Sequence, residues 1–549
     1  MTSTVIDAGD GLPLTLPRLW RRQVQAHADR ILFVCDESRL SYAEADVRSR
    51  RLARGLLAAG ASKGSHIALL YPSGPDFVVA MLAAARIGAV VLPLSTLSTA
   101  DELRWLLAHC DAEYLFAATE FRSRRYDELL CAAIPELDFS RPPLVRSLTA
   151  PWLKRVWFSG VRVGDRHEAW SVEALEEMAT SIDDDFLDAI EARVSPADRF
   201  VIIHTSGSTA NPKGVIHTHG ALIRHIDNGN RIRQYTPDDV LFSTAPLFWV
   251  AGFAFAFLGT IVGGLKLLCS NAVAPGDVLD FLERERPTIT NGYASTIAKL
   301  VADPSFAKRD LSSIRRGTLY PILAPDVRPR DPELRHNIYG MTEAGGALTM
   351  SADESDLPER MRGSCGKFLP GFEAKIVDPE TLRERARGHV GELWVRGPFL
   401  MEGYYGKARS QVFEPDGWWR TGDLGVIDAE GYFYVKGRLG ELIKTSGANV
   451  SPREVEAALR DLIGSMECFV VGVPDAQRGQ AVVAIIVADD DREFDEAALK
   501  QRLAARLSRY KVPRRILRIA RSDLPFQSSG KLDTRRLSAL AQQRLQHRG

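Results

Sequence analysis

Short apolar runs alternate along this chain with stretches whose apolar positions recur at helical spacing. Residues 66–71 predict a strand, the Ala-rich residues 76–87 a helix, and residues 88–92 the next strand. Strand, helix and strand in that order predict a parallel sheet covered by helices. Residues 200–203 read as a further buried strand. No repeat of fixed period is visible. Near Arg438 the texture changes: residues 469–473 and 481–487 read as strands and 499–508 as an amphipathic helix. The expected fold class is therefore α/β. A large multi-layer domain of sheets covered by helices fills residues 1–438, and a small α+β domain fills 439–549.

One segment imitates a membrane span. Residues 245–265 carry no charge and are long enough to cross a bilayer. Pro246, Gly252, Gly259, Gly263 and Gly264 interrupt the run, so a buried helix followed by a buried strand is expected there, and no transmembrane segment.

A chain of 549 residues is too long for one ordinary core. Lys+Arg and Asp+Glu balance at 70 each, which gives no electrostatic reason to expect nucleic acid or an anionic membrane as partner. The six cysteines are scattered without a C-x-x-C pair, as expected for reduced thiols in a cytoplasmic protein. The first residues are polar and acidic, unlike a secretory signal.

Five motifs carry candidate chemistry. TSGSTANPKG at 205–214 follows the strand at 200–203. Uncrowded backbone N–H groups there can converge on an anion. Thr205, Ser206, Ser208 and Thr209 add hydroxyl donors, Gly207 adds room, and Lys213 adds a mobile cation. It is not a Walker A loop, because Lys213 precedes Gly214. A polar turn between two strands is the bland alternative. In YGMTE at 339–343, Tyr339 could stack on a purine, Thr342 bond a phosphate oxygen and Glu343 hold Mg²⁺. Equally, Thr342 could be a helix N-cap. In WWRTGD at 418–423, Asp423 could accept both hydroxyls of a ribose, with Arg438 bracing the sugar or its phosphate. A surface turn with a salt bridge explains the same residues. Ser451, Pro452, Arg453 and Glu454 read as a capping box with Pro at the first helical position, which leaves the preceding loop 444–449 open to function. Lys531 ends SSGK at 528–531, where it is either solvated or a cation delivered to a negative transition state.

Two smaller features favour structure over function. His217 and His219 stand at strand spacing beside the phosphate strand, where a structural role is favoured over a metal pair. Arg502, Arg506, Arg509, Lys511, Arg514 and Arg515 form either a solvated face or a contact for a phosphate.

Taken together, in this order and spacing, TSGSTANPKG, YGMTE, TGD, GR…IKTSGANVSPREVE and SGKL resemble the adenylate-forming superfamily of acyl-CoA synthetases, luciferases and adenylation domains, from about residue 19 to 537. The resemblance implies a two-step ligase using ATP, Mg²⁺ and coenzyme A. A carboxylate attacks the α-phosphate, and a thiol then displaces AMP. It implies that the small C-terminal domain is mobile and turns between steps. Carried over position by position, Thr205, Ser206, Gly207, Ser208, Thr209 and Lys213 match the β,γ-phosphate loop. Thr342 matches the α-phosphate contact, Glu343 the Mg²⁺ ligand, Tyr339 the adenine flank, and Asp423 with Arg438 the ribose site. Lys531 matches the lysine that bridges carboxylate and α-phosphate, Gly440 the hinge, and Lys444 and Gly447 the loop of the thiol step.

Four positions depart from the family pattern. Ala210 and Gly440 replace the usual Gly and Asp or Lys. Trp249 replaces a common His. Residues 317–325 stand where G-G-A-P is usual before YGMTE. Trp249, Phe253, Tyr293, Gly345 and Gly346 are expected around the acyl group, with apolar and aromatic walls. No acidic residue stands out to pair an amino group, so the expected substrate is a hydrophobic carboxylic acid (fatty, alicyclic or aryl) and not an amino acid. Two rival readings stay open: an enzyme that loads a carrier-protein thiol, and a non-catalytic nucleotide-binding homologue. The expected oligomeric state is monomer or homodimer.

Overall fold

A computed structural model of the chain describes residues 11–141, 144–160, 168–205, 212–292, 294–439, 443–445, 448–464, 466–475, 479–488, 494–507, 511–527 and 531–546. It is the mixed α/β protein expected. Contacts divide it into two compact units, one of residues 1–373 and 396–417, the other of 374–395 and 418–549. This division differs from the seam expected at 438/439. The strands Trp419–Ile427 and Phe433–Arg438 pair in one sheet with Gly391–Arg396, and that sheet gathers with the C-terminal residues.

The first unit holds two large sheets. The seven-stranded one runs Gly403–Tyr404, Lys213–Thr218, Arg199–Thr205, Val90–Pro93, His66–Leu70, Tyr114–Ala118, Arg155–Ser159. It is parallel except at its first two pairings. The six-stranded one runs Arg316–Gly317, Ile289–Asn291, Val240–Ser243, Lys266–Cys269, Ile31–Cys35, Ser38–Ser41. The helix expected at 76–87 spans Pro75–Arg86, and every residue from Phe77 onward is buried. A helix with no polar face must sit inside a core. Its Ala-rich surface packs in one cluster with Phe33 and Leu267 of the six-stranded sheet and Ile67 and Phe200 of the seven-stranded sheet. The buried charge of Arg86 at its end is matched by Asp46 and Glu191.

The uncharged run at 245–265 forms a π-helix, Ala251–Leu258, continued by the α-helix Gly259–Gly263 and followed by the strand Lys266–Cys269. Among the described residues no helix is long and apolar enough to cross a membrane.

In the second unit, the strands Ala448–Val450, Ile443–Thr445, Gly479–Val487, Cys468–Asp475 and Arg515–Ile519 form one sheet. It has an apolar cluster on each face, one around Val455 and Leu503 and the other around Leu517 and Leu537. The helix Pro452–Ile463 starts where expected, with Pro at its first turn, but the capping box does not form. The Ser451 hydroxyl instead donates to the Lys436 carbonyl at 2.7 Å, and Glu454 accepts from Lys511 at 2.6 Å. A neighbouring strand's carbonyl and a distant lysine outcompete the local bonds.

Candidate functional site

The site starts from a hairpin. Arg199–Thr205 and Lys213–Thr218 are antiparallel, with Thr205 opposite Lys213, so the hydroxyl-rich loop is a hairpin connection with those two residues at its base. Ser206, Gly207, Ser208, Thr209 and Ala210 lie outside the described residues. The strand interior, Phe200–Ile203, is fully buried and fixes the loop's origin. The Lys213 ammonium stands 5.1 Å from the centroid of the Tyr404 ring and meets no carboxylate among the described residues.

YGMTE folds as the strand Tyr339–Met341, the single helical turn Thr342–Ala344 and the returning strand Gly346–Met350. Met341 occupies the N-cap position, so Thr342 begins the turn and does not cap it; among the described residues its hydroxyl makes no hydrogen bond. Its backbone is held from the strand Lys213–Thr218: His217 Nε2–H donates to the Thr342 carbonyl at 2.7 Å. Burial pushes the His217 pKa down to about 4, so the ring is neutral and the carbonyl fixes its proton on Nε2. Its neighbour in sequence has a different partner, since His219 Nδ1 accepts from the Leu16 amide at 3.3 Å. The two histidines serve the backbone at separate points.

Tyr404 joins the two motifs. Its hydroxyl donates to Glu343 Oε1 at 2.8 Å while its ring lies under Lys213. The strand Gly403–Tyr404 holds it there by pairing with Val215 and Ile216, and the Met401 amide donates to the Glu343 carbonyl at 2.8 Å. Nothing in the sequence marks Tyr404, because its partners are 61 positions away in one case and beyond a hairpin in the other. Glu343 is half-buried and pairs with no Lys or Arg among the described residues. A carboxylate with no basic counter-ion among the described residues, next in sequence to a threonine whose hydroxyl is unbonded among them, offers the oxygen donors that a hard divalent cation takes, so Mg²⁺ fits here. Tyr404→Phe keeps the ring under Lys213 and removes one bond from Glu343. We expect the KM for Mg·ATP to rise about 3- to 10-fold with unchanged melting temperature, measured by initial rates at varied Mg·ATP.

Gly345 and Gly346 end the turn. Gly345 adopts φ +70°, and a Cβ on it would stand 2.6 Å from Leu222 Cδ1. Gly346 adopts φ +136°, and its Cβ would stand 3.4 Å from Phe255 Cδ2. Glycine at 345 is required by backbone and packing, not by open space for a ligand. Gly345→Ala should lower stability by about 2–4 kcal/mol, read from the urea unfolding midpoint.

The expected acyl walls divide. Phe253 is enclosed in the core, its ring 5.5 Å from Phe200 and 6.5 Å from Phe77. Trp249 is half-buried, edge-on to Phe248 at 5.6 Å. Phe255, which the sequence reading missed, is half-buried and faces Gly346. Tyr293 lies outside the described residues.

The second unit carries the other candidates. Asp423 and Arg438 are register partners on adjacent strands, with Arg438 Nε 3.2 Å from Asp423 Oδ1. The turn before Asp423 is fastened by buried Glu392, which accepts from the Gly422 amide at 3.2 Å and from Trp394 Nε1 at 2.9 Å. The Thr421 hydroxyl donates to the Leu393 carbonyl at 2.7 Å and accepts from the Asp423 amide at 3.0 Å. Lys531 is exposed, and its ammonium makes no ion pair among the described residues. Gly440 and Gly447 lie outside those residues; Lys444 is on the strand Ile443–Thr445. The basic cluster is largely neutralised: Arg506 pairs with Asp461, Lys511 with Glu454, Arg514 with Asp475 and Arg515 with Glu496. That is the solvated-face reading of those four residues.

Against known proteins, residues 20–405 match the AMP-binding enzyme family and residues 454–531 its C-terminal domain. An indoleacetate–CoA ligase of Aromatoleum aromaticum is 31% identical over 518 residues, covering 92% of this chain and 94% of that one. A feruloyl-CoA synthase of an Amycolatopsis species is 32% identical over 506 residues, covering 90% and 92%. The solved structure of the ATP-bound RpMatB-BxBclM chimera B3 superposes with a TM-score of 0.76 at 26% identity, covering 96% of this chain and 99% of that one.

Proposed function

The chain belongs to the AMP-binding enzyme family and is an adenylate-forming acid–thiol ligase, and from that premise we propose that it activates a hydrophobic carboxylic acid with Mg·ATP and transfers the acyl group to coenzyme A. The observation that carries this reading is Tyr404 meeting both Lys213 and Glu343, with the hydroxyl of the adjacent Thr342 unbonded among the described residues. A cation, a carboxylate without a basic partner among the described residues and a hydroxyl donor are the groups a polyphosphate with Mg²⁺ would use.

In the first step, one oxygen of the acid's carboxylate attacks the α-phosphorus, and the bond to the β-phosphate oxygen breaks. Pyrophosphate leaves. In the second step, the thiol sulfur attacks the acyl carbon, its proton goes to solvent, and AMP leaves with the oxygen that came from the acid. The first step gives the acyl carbon a good leaving group, AMP, in place of a poor one, and the second step expels it. Lys213 and the hydroxyls at 205–209 hold the β- and γ-phosphates, Thr342 donates to the α-phosphate, and Asp423 accepts from the ribose. Bound Mg²⁺ would be held by Glu343 and would neutralise polyphosphate charge. Lys531 bridges the attacking carboxylate and the α-phosphate in the first step. Residues 439–549 then turn about Gly440 to bring Lys444 and Gly447 to the thiol.

Half-buried Trp249 and Phe255 support an apolar body for the acid. Two relatives named for indoleacetate and ferulate favour aryl acids over fatty ones. The test is AMP and pyrophosphate release from Mg·ATP with a panel of aryl, alicyclic and fatty acids, with and without coenzyme A. AMP release that requires both an aryl acid and coenzyme A supports the reading. Pyrophosphate without thioester redirects it to a carrier-protein thiol, and no release with any acid overturns it.

A further inference from the structure

Behind the hairpin of residues 339–350 lies a cavity of about 390 Å³. Ile338, which precedes the strand Tyr339–Met341, and Met350, which ends the strand Gly346–Met350, form part of its wall, and Arg233 forms another part. Tyr339, the expected adenine flank, is not among its lining residues, whereas Gly317, Thr318, Tyr320 and Leu323, from the stretch that stands where G-G-A-P is usual, are.

Arg233 is only 9% exposed. Its guanidinium donates to the Tyr235 hydroxyl and lies 4.5 Å from the Phe255 ring centroid. Among the described residues it meets no carboxylate. The other lining arginines are matched. Arg315 bonds Asp326 at 2.8 and 2.7 Å, Arg335 bonds Asp356 at 2.9 Å, and Arg316 faces Glu354 at 4.0 Å. The lining carboxylate of Asp353 accepts at Oδ1 from the Ser355 amide and hydroxyl at 2.9 and 2.6 Å, and no ion pair joins it to Arg233 among the described residues. A buried cation without a counter-ion is unfavourable unless an anion or solvent reaches it, and the cavity is where one can.

The cavity also adjoins the acyl region. Phe255 neighbours both Arg233 and Gly346. With Ile338, Ala347 and Met350 it forms one apolar cluster. An acid whose carboxylate meets the α-phosphate held by Thr342, and whose body follows this cluster, is directed towards Arg233.

We propose that the cavity binds a carboxylate or comparable oxyanion on Arg233, and that the acid substrate carries it at the end remote from the carboxylate being activated. The planar guanidinium fork matches a carboxylate edge-on. This rests on the ligase reading above and narrows its acid to one with an apolar body and an anionic far end.

The experiment compares kcat/KM for matched aryl acids with and without a para carboxylate, in the full-length protein, in Arg233→Gln and in Arg233→Lys. Wild type should prefer the diacid by about tenfold or more, Arg233→Gln should lose that preference, and Arg233→Lys should keep part of it. A melting curve for each variant separates lost recognition from lost folding, and Arg233→Lys, which keeps the charge, serves as the second probe of the site if Arg233→Gln does not fold. Adding glutarate to assays with a monoacid tests the other source. Stimulation or stabilisation that depends on Arg233, without any diacid preference, overturns the substrate as the source of the anion. Turnover of monoacids with no diacid preference and no glutarate effect overturns the site. Absence of acid-dependent pyrophosphate release with every acid fails the ligase reading instead, and is read in the same assay.

Discussion

Lys531→Ala is expected to lower acyl-adenylate formation by about 10²- to 10⁴-fold while leaving the thioester step from supplied acyl-adenylate within a few-fold of wild type. The first step brings a carboxylate against a polyphosphate, so negative charge gathers at one point and a delivered ammonium is worth most there. Lys531 is suited to delivery. Its backbone is fixed, with its carbonyl accepting from the Gln527 amide at 2.8 Å and a bridge pairing Phe526 with Leu532. Its side chain is exposed and forms no ion pair among the described residues, so no local contact has to be broken. If Lys531 were only a solvated surface charge, both half-reactions would stay at wild-type rates, since such substitutions rarely change stability by more than about 0.5 kcal/mol. Pyrophosphate release and thioester formation, assayed separately, distinguish the two. Equal loss in both would remove the assigned role.

Glu343→Gln is expected to cost adenylation about 10²-fold or more and to shift its Mg²⁺ dependence to higher concentration. The substitution keeps an oxygen that can accept from the Tyr404 hydroxyl, and the carbonyl contact to the Met401 amide belongs to the backbone, so the turn should fold as before. What changes is the charge. No Lys or Arg neutralises Glu343 among the described residues, so removing it relieves no ion pair and removes a ligand. Titrating Mg²⁺ at fixed ATP in both proteins gives the test. An unchanged Mg²⁺ midpoint together with unchanged rate would mean that Glu343 holds no metal. The milder effect expected of Tyr404→Phe follows from the same geometry, because that variant leaves the charge and removes one bond to it.

The sequence marks these candidates because the chemistry proposed for them is local. Thr342 and Glu343 are adjacent, Lys213 ends a loop of hydroxyls and glycines, and Asp423 sits in a Thr-Gly-Asp turn. The helix at Pro75–Arg86 and the strand at His66–Leu70 were equally legible, since periodicity and composition agree there. What stayed hidden depends on partners far apart in the chain. Tyr404 meets Glu343 across 61 positions, and Glu392 reaches the turn at Gly422 across 30. Phe253 and Phe255 share a helix and a residue type, yet only packing against Phe77 and Phe200 sends the first into the core. The capping signature at Ser451 and Glu454 misled for the same reason, because Lys436 and Lys511 supply tertiary partners that no local pattern reveals. Gly345 and Gly346 read as room for a ligand, whereas at Gly345 the missing side chain accommodates Leu222 and a left-handed turn.

The central claim is that the acid's own oxygen attacks the α-phosphorus. The most direct measurement uses an acid that supports turnover, labelled with ¹⁸O in both carboxylate oxygens, incubated with Mg·ATP and coenzyme A. The masses of the released AMP and pyrophosphate are then read. An acyl-adenylate path places one ¹⁸O in AMP and none in pyrophosphate. Unlabelled AMP, or label in pyrophosphate or orthophosphate, would contradict the account.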